Sequence, residues 1–214
     1  MATRRIASLF GRSSNSRHFL YGSRYVLISF VTWIPAIIFF NEHVGEVGII
    51  NGPSMYPYLN TSYNESIAKD LCWINKYNPT GNLQRGMIVA FRFVPISLSP
   101  CSTAHSFSLR NRSPESGRVA IKRIIALEGD EVQTRAPYPF PRAAVPPGHV
   151  WVEGDNRDRH KTLDSMRYGP ISMNLITGKV THVLWPWKSA GPIPWWQFKG
   201  RTKVFKARKE EPLE

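Results

Sequence analysis

The sequence predicts a mostly β domain behind one N-terminal apolar helix. Three observations carry this prediction. Residues 25–40 read YVLISFVTWIPAIIFF, a run of 16 without a charge. From Glu42 onward, short apolar runs are separated by Gly, Pro and Asn, the pattern of strands and turns. No long helical period follows residue 41.

The elements follow in chain order. Residues 1–24 hold five arginines and no acid. That composition fits a mitochondrial or plastid targeting region, or a disordered basic tail. Residues 25–41 are expected to form a transmembrane helix. Sixteen residues at about 1.5 Å each span roughly 24 Å, slightly short of a bilayer core. Extension to Tyr21 or Val44 closes the gap. A buried core helix is the alternative. If the helix spans, the positive-inside rule places residues 42–214 on the far side from the arginines. For a mitochondrial inner membrane, that side is the intermembrane space.

Strands are expected over 44–50, 71–77, 87–93, 119–127, 149–153 and 179–185. Residues 95–118 contain seven Ser and three Pro and read as a disordered insertion between strands, with Cys101 incidental inside it. Residues 137–147 carry five prolines and read as a stiff, extended connection. The catalytic or binding domain is therefore placed at 42–198, with a basic tail over 199–214. Four tryptophans, Trp185, Trp187, Trp195 and Trp196, fall within twelve residues. They suit a membrane interface, core packing or a partner contact equally well.

Charge and cysteine content exclude other classes. The 214 residues carry a formal +13, which invites a nucleic-acid reading. Residues 1–24 supply +5 of it and residues 199–214 supply +3. The long middle section holds 17 basic and 12 acidic residues, and it shows no nucleic-acid-binding motif. Cys72 and Cys101 are the only cysteines, too few for a disulfide scaffold or a four-cysteine zinc site.

Three stretches carry candidate chemistry. Asn51-Gly-Pro-Ser-Met-Tyr-Pro57 places Ser54 on a rigid turn, which exposes a hydroxyl and backbone N–H groups or is simply a turn. In 119–127, strand alternation puts Ala120, Lys122 and Ile124 on one face and Arg123 on the other. Lys122 is then either a desolvated amine, fit to act as a base, or an edge lysine reaching water. The third stretch is Gly154-Asp155-Asn156 followed by Leu163-Asp-Ser-Met-Arg-Tyr-Gly-Pro170. It is a polar loop that braces a site or merely turns at the surface. His149, Asp155 and His160 suggest a metal site or a Ser-His-Asp triad, but their spacing suits neither, so no metal site is expected.

Taken together, these stretches resemble the type I signal peptidase family over nearly all of residues 25–190. The matching pieces are GPSMYP, LQRGMIVAFR, IKRIIALEGDEV, HVWVEGDN and DSMRYGPIS. The resemblance is to its mitochondrial inner-membrane branch of fungal type, and GKVTHVLWPW points to the second of that branch's two homologous subunit types. It implies a signal-peptidase-like β catalytic domain and a Ser–Lys dyad endopeptidase without cofactor or metal. Ser54 is then the nucleophile and Lys122 the general base. Gly52 and Met55 belong to the oxyanion turn, and Pro57 shapes the cleft. Arg123 and Asp164 are expected to pair behind the dyad, with Asp155, Asn156, Thr162 and Ser165 in support. The implied partners are a homologous subunit 1, membrane lipid and extended precursor polypeptides with small residues before the cut.

The chain departs from the family pattern at four places. Gly52 stands where many bacterial members carry Ser. Gly86-Met87 replaces the usual Gly-Asp. Eight residues separate Asp155 from Asp164, where relatives commonly have six. Thr162 replaces a Ser that bonds the base lysine. The competing readings are a catalytically silent membrane subunit and a Ser–Lys autoprotease.

Overall fold

A computed structural model of the chain describes Ser29, residues 31–61, Tyr63, and residues 69–92 and 119–206. The segment expected over 1–24, the insertion expected over 95–118 and the last eight residues lie outside these. The chain divides into two compact units, residues 1–42 and 43–214.

In the first unit, helix α1 covers residues 31–43, with Pro35 inside it. Its apolar side chains are exposed, Trp33 at 64% and Phe39 at 61% among them. A helix apolar on every side buries nothing against itself and needs an apolar surrounding. Among the described residues, no helix is long and apolar enough to cross a membrane.

Among its described residues, the second unit contains eleven strands and one short α-helix. The strands are β1 (Gly45–Ile49), β2 (Leu71–Asn75), β3 (Ile88–Arg92), β4 (Val119–Ala126), β5 (Glu131–Gln133), β6 (Arg142–Ala144), β7 (His149–Glu153), β8 (Ile171–Ser172), β9 (Ile176–Trp185), β10 (Gly191–Pro192) and β11 (Val204–Phe205). Helix α2 is Ser165–Tyr168. The main sheet runs β1-β2-β9-β3-β4-β7-β8, with β10 also paired to β9. Every pairing in it among the described residues is antiparallel. A smaller sheet runs β11-β5-β6.

Side-chain alternation explains why the middle of the main sheet, at β3, β4 and β7, is buried on both faces. On β3, Ile88 and Ala90 enter one apolar cluster with Met55, Leu59, Cys72 and Ile74. Val89 and Phe91 enter a second with Ile124, Val150 and Val152. On β4, Ala120 and Ile124 pack in the second cluster and Ile121 against the first, as the alternation requires. A third cluster sets Trp151 and Ala126 against Val132, Ala143 and Val145 of the smaller sheet.

Two expectations need correction. The proline-rich connection contains β6, because Arg142, Ala143 and Ala144 between its prolines have N–H and C=O groups free to pair with β5. The tail expected from residue 199 includes β11, with Val204 opposite Val132 and Thr202 buried. The domain therefore extends past residue 198.

Candidate active site

Ser54 lies in the turn after β1. Gly52 has φ +89°, with open space where a Cβ would sit. Its backbone conformation, not crowding, selects glycine there. The turn is tied by Tyr56 N–H to the Pro53 carbonyl (3.0 Å) and Leu59 N–H to the Met55 carbonyl (2.9 Å). Met55 is 1% exposed and Leu59 fully buried, so both anchor the turn in the core. Met55 thus supports the turn from beneath and does not line a cleft. Asn60 Nδ2 donates to the Gly52 carbonyl (3.2 Å), and Asn60 N–H donates to Asp70 (2.6 Å). The Ser54 N–H makes no hydrogen bond among the described residues, so it is available to a ligand.

Lys122 arrives from β4, which is enclosed by β3 and β7. It is 5% exposed, which excludes the edge-lysine reading. Its Nζ is hydrogen-bonded to Ser54 Oγ at 2.9 Å and donates to the Ile121 carbonyl at 2.9 Å. Burial pulls the lysine down from its ordinary value to about 8, against the opposing pull of Asp164 and Asp155. A neutral amine at hydrogen-bond distance from a hydroxyl can accept its proton.

The polar loop from Gly154 to Asp164 closes the arrangement from the other side. Asn156 N–H donates to the Ser54 carbonyl (3.1 Å), and Asn156 Nδ2 donates to the Pro53 carbonyl (2.7 Å). The Gly154 backbone lies against both groups it must clear. A Cβ there would meet Thr162 Oγ1, and it would sit 2.6 Å from the Ser54 carbonyl oxygen.

Arg123 pairs with Asp155, not with Asp164. Its guanidinium forks onto the Asp155 carboxylate, Nη2 at 2.6 Å and Nε at 2.9 Å, and Nη1 donates to the Gly86 carbonyl at 2.8 Å. Both side chains are buried. The guanidinium also lies 4.5 Å from the Tyr58 ring centre and 4.2 Å from that of Phe198. Asp164 is spent otherwise. It caps α2 by accepting from Met166 N–H (3.2 Å), and it also accepts from Gly154 N–H (3.3 Å) and Thr162 Oγ1 (3.1 Å). Thr162 is buried, and its hydroxyl donates to Asp164 without a bond to Lys122. The lengthened loop swings outward as an exposed 3-10 turn at Arg159–Lys161, capped by Asp158. Ser165 is fully buried, and its Oγ accepts from Val152 N–H (3.0 Å).

Other sequence candidates do not converge. His149 Nδ1 bonds the Pro147 carbonyl (2.9 Å), His160 is exposed on the 3-10 turn, and Asp155 serves Arg123. Among the described residues, no group of three His, Cys, Asp or Glu is placed to hold a metal ion. Pro57 is exposed at the rim of the Ser54 turn. Trp185, Trp187 and Trp196 are exposed, so core packing does not account for them.

Sequence reasoning placed Gly154 in the polar loop without its close approach to Ser54, and it missed Tyr58 and Phe198. A glycine five residues before the loop's 3-10 turn was a visible signal of close approach. The stacking of two rings on Arg123 had no local signal, since Phe198 is 75 residues away along the chain.

The chain is similar to known proteins over most of its length. Residues 23–138 match the family described as signal peptidase, peptidase S26. Mitochondrial inner membrane protease subunit 2 of Schizosaccharomyces pombe is 35% identical over 167 residues, covering 78% of this chain and 79% of that one. The Saccharomyces cerevisiae subunit 2 is 34% identical over 82% of this chain and 85% of its own. Subunit 1 of Xenopus tropicalis is 35% identical over 71% of this chain and 76% of its own. With half of its length matched by the family and relatives this similar over most of the rest, the chain belongs to the signal peptidase family, peptidase S26.

Proposed function

We propose that this chain is a membrane-anchored serine endopeptidase that removes sorting peptides from proteins entering the mitochondrial intermembrane space. Ser54 is the nucleophile and Lys122 the general base. The observation that carries the reading is the 2.9 Å approach of a buried Lys122 Nζ to Ser54 Oγ. Neutral Lys122 takes the Ser54 proton as Oγ bonds the scissile carbonyl carbon. The Ser54 N–H donates to the oxyanion that forms. As the C–N bond breaks, Lys122 passes the proton to the leaving amine, and an acyl-enzyme remains on Ser54. Water, activated by the same amine, then releases the acid. Arg123, Asp155, Asn156, Thr162 and Asp164 hold the turn and the loop in register.

The anchor is the apolar segment over 25–41, whose described part is helical with exposed apolar side chains. Its preceding arginines remain in the matrix and the β domain lies in the intermembrane space. The working form is a complex with a homologous subunit 1, as the names of the relatives suggest.

The test is co-expression with a subunit 1 and cleavage of a presequence substrate by wild type, Ser54→Ala and Lys122→Ala. Loss of this chain's processing with the complex intact supports the dyad. Full processing by both variants means that the dyad is wrong and the chain is a silent subunit. Protease treatment of mitoplasts tests the topology, and a C-terminal tag protected from digestion would reverse it.

A further inference from the structure

A cavity of about 70 Å³ is lined in part by the Gly154–Asp164 loop, room for a few waters or one small anion. Five arginines line it, Arg135, Arg157, Arg159, Arg167 and Arg201, against two carboxylates, Glu153 and Asp164. They come from three separate segments, so the fold gathers charges that repel one another.

The two carboxylates are already engaged by uncharged donors, and Glu153 also feels the charge of Arg201. Asp164 accepts from Gly154, Thr162 and Met166. Glu153 accepts from Trp151 Nε1 (2.9 Å) and Thr202 Oγ1 (2.8 Å). Among the described residues, no ion pair within 4 Å involves Arg135, Arg157, Arg159 or Arg201. Arg159 donates once, to the Ala136 carbonyl (3.0 Å), and Arg135 once, to the Arg201 carbonyl (3.2 Å). Arg157 makes no hydrogen bond among the described residues. A guanidinium has five N–H donors, so most of those on Arg135, Arg157 and Arg159 remain unspent. Planar forks of unspent donors around a small concavity match a tetrahedral oxyanion.

We propose that this cavity is a binding site for a phosphate-class anion, a phosphomonoester or phosphodiester group. Its floor is the stretch that holds Ser54. Arg201 Nη2 donates to the Asp155 (2.9 Å) and Asn156 (3.1 Å) carbonyls, and Asn156 holds the Ser54 and Pro53 carbonyls. An anion bridging the arginines fixes this loop and, through it, the serine turn.

The test uses the full chain carrying Ser54→Ala in neutral detergent micelles, so that binding is read without peptidase activity and independently of the proposed dyad. Inorganic phosphate is titrated at constant ionic strength against chloride. In parallel, micelles are doped with phosphatidic acid. A ligand at ten times its Kd is expected to raise Tm by about 3–6 °C. The Arg157→Gln/Arg159→Gln double variant is expected to lose at least tenfold in affinity, while Lys188→Gln keeps wild-type affinity. A response to phosphatidic acid alone supports the site and assigns it to a lipid headgroup; a response to inorganic phosphate supports a soluble ligand. Equal responses of the double variant and wild type, equal effects of chloride, or a response only to an acidic peptide would overturn the proposal.

Discussion

Replacing Lys122 with Met should stabilise the protein while abolishing the chemistry proposed for it. The magnitude comes from the burial of the amine. Its pKa falls from 10.5 to about 8, which corresponds to about 3 kcal/mol of preference for the neutral form. Below pH 8 both folded and unfolded chains carry the proton, so the folded state bears this whole cost. Between pH 8 and 10.5 the unfolded chain binds more protons than the folded one, so wild-type stability rises with pH across that window. Met removes the charge and retains the volume, but it also deletes two hydrogen bonds, to Ser54 and to Ile121, at about 1 kcal/mol each. The net gain at pH 7 is therefore about 1 kcal/mol. It should reverse to a loss of about 1 kcal/mol near pH 10, where the wild type has regained most of its deficit. Urea unfolding of the full chain in micelles at pH 7 and pH 10 measures both values. A Met-minus-wild-type difference that does not change with pH refutes the argument, because the lysine would then be paying no desolvation cost.

Three further outcomes are expected. Below pH 8, kcat/KM on a presequence peptide should rise about tenfold per pH unit and then level off, as the neutral fraction of Lys122 dictates; a flat profile from pH 6 to 8 points to another base. Asp155→Asn should cost about 3–5 kcal/mol in denaturant unfolding, since Arg123 is left buried without its counter-charge, and a cost below 1 kcal/mol argues against a buried pair. Thr162→Val should destabilise by about 1–3 kcal/mol through the unsatisfied Asp164 and leave the midpoint of the pH–rate profile unmoved, whereas a displaced midpoint would reveal a direct bond to Lys122.

The long strands were readable because each is a dense apolar run between turn residues. Residues 149–153 were placed without error, and β4 to within one residue. β9 begins three residues earlier than expected because Gly178 reads as a break. In the sheet it is required, since a Cβ there would meet Ile74 Cγ2 and the Asn75 carbonyl. The smaller sheet was invisible, as strands of two or three residues show no period. At the site, the turn and the strand alternation left Ser54 and Lys122 open to bland readings, and only the family resemblance singled them out as a pair. The partner of Arg123 was not legible. Asp155 and Asp164 are equally acidic in sequence, and only the register of Arg123 opposite Glu153 brings Asp155 beneath its guanidinium.

The dyad joins residues 68 apart in sequence, and the loop that steadies Ser54 reaches back 103 residues to Pro53. Before those segments meet, the serine has no amine beside it, and the lysine, still wetted, is protonated at neutral pH. If Ser54 and Lys122 act as proposed, a chain whose sheet is incomplete lacks that chemistry, and completion of the sheet is itself the activation step.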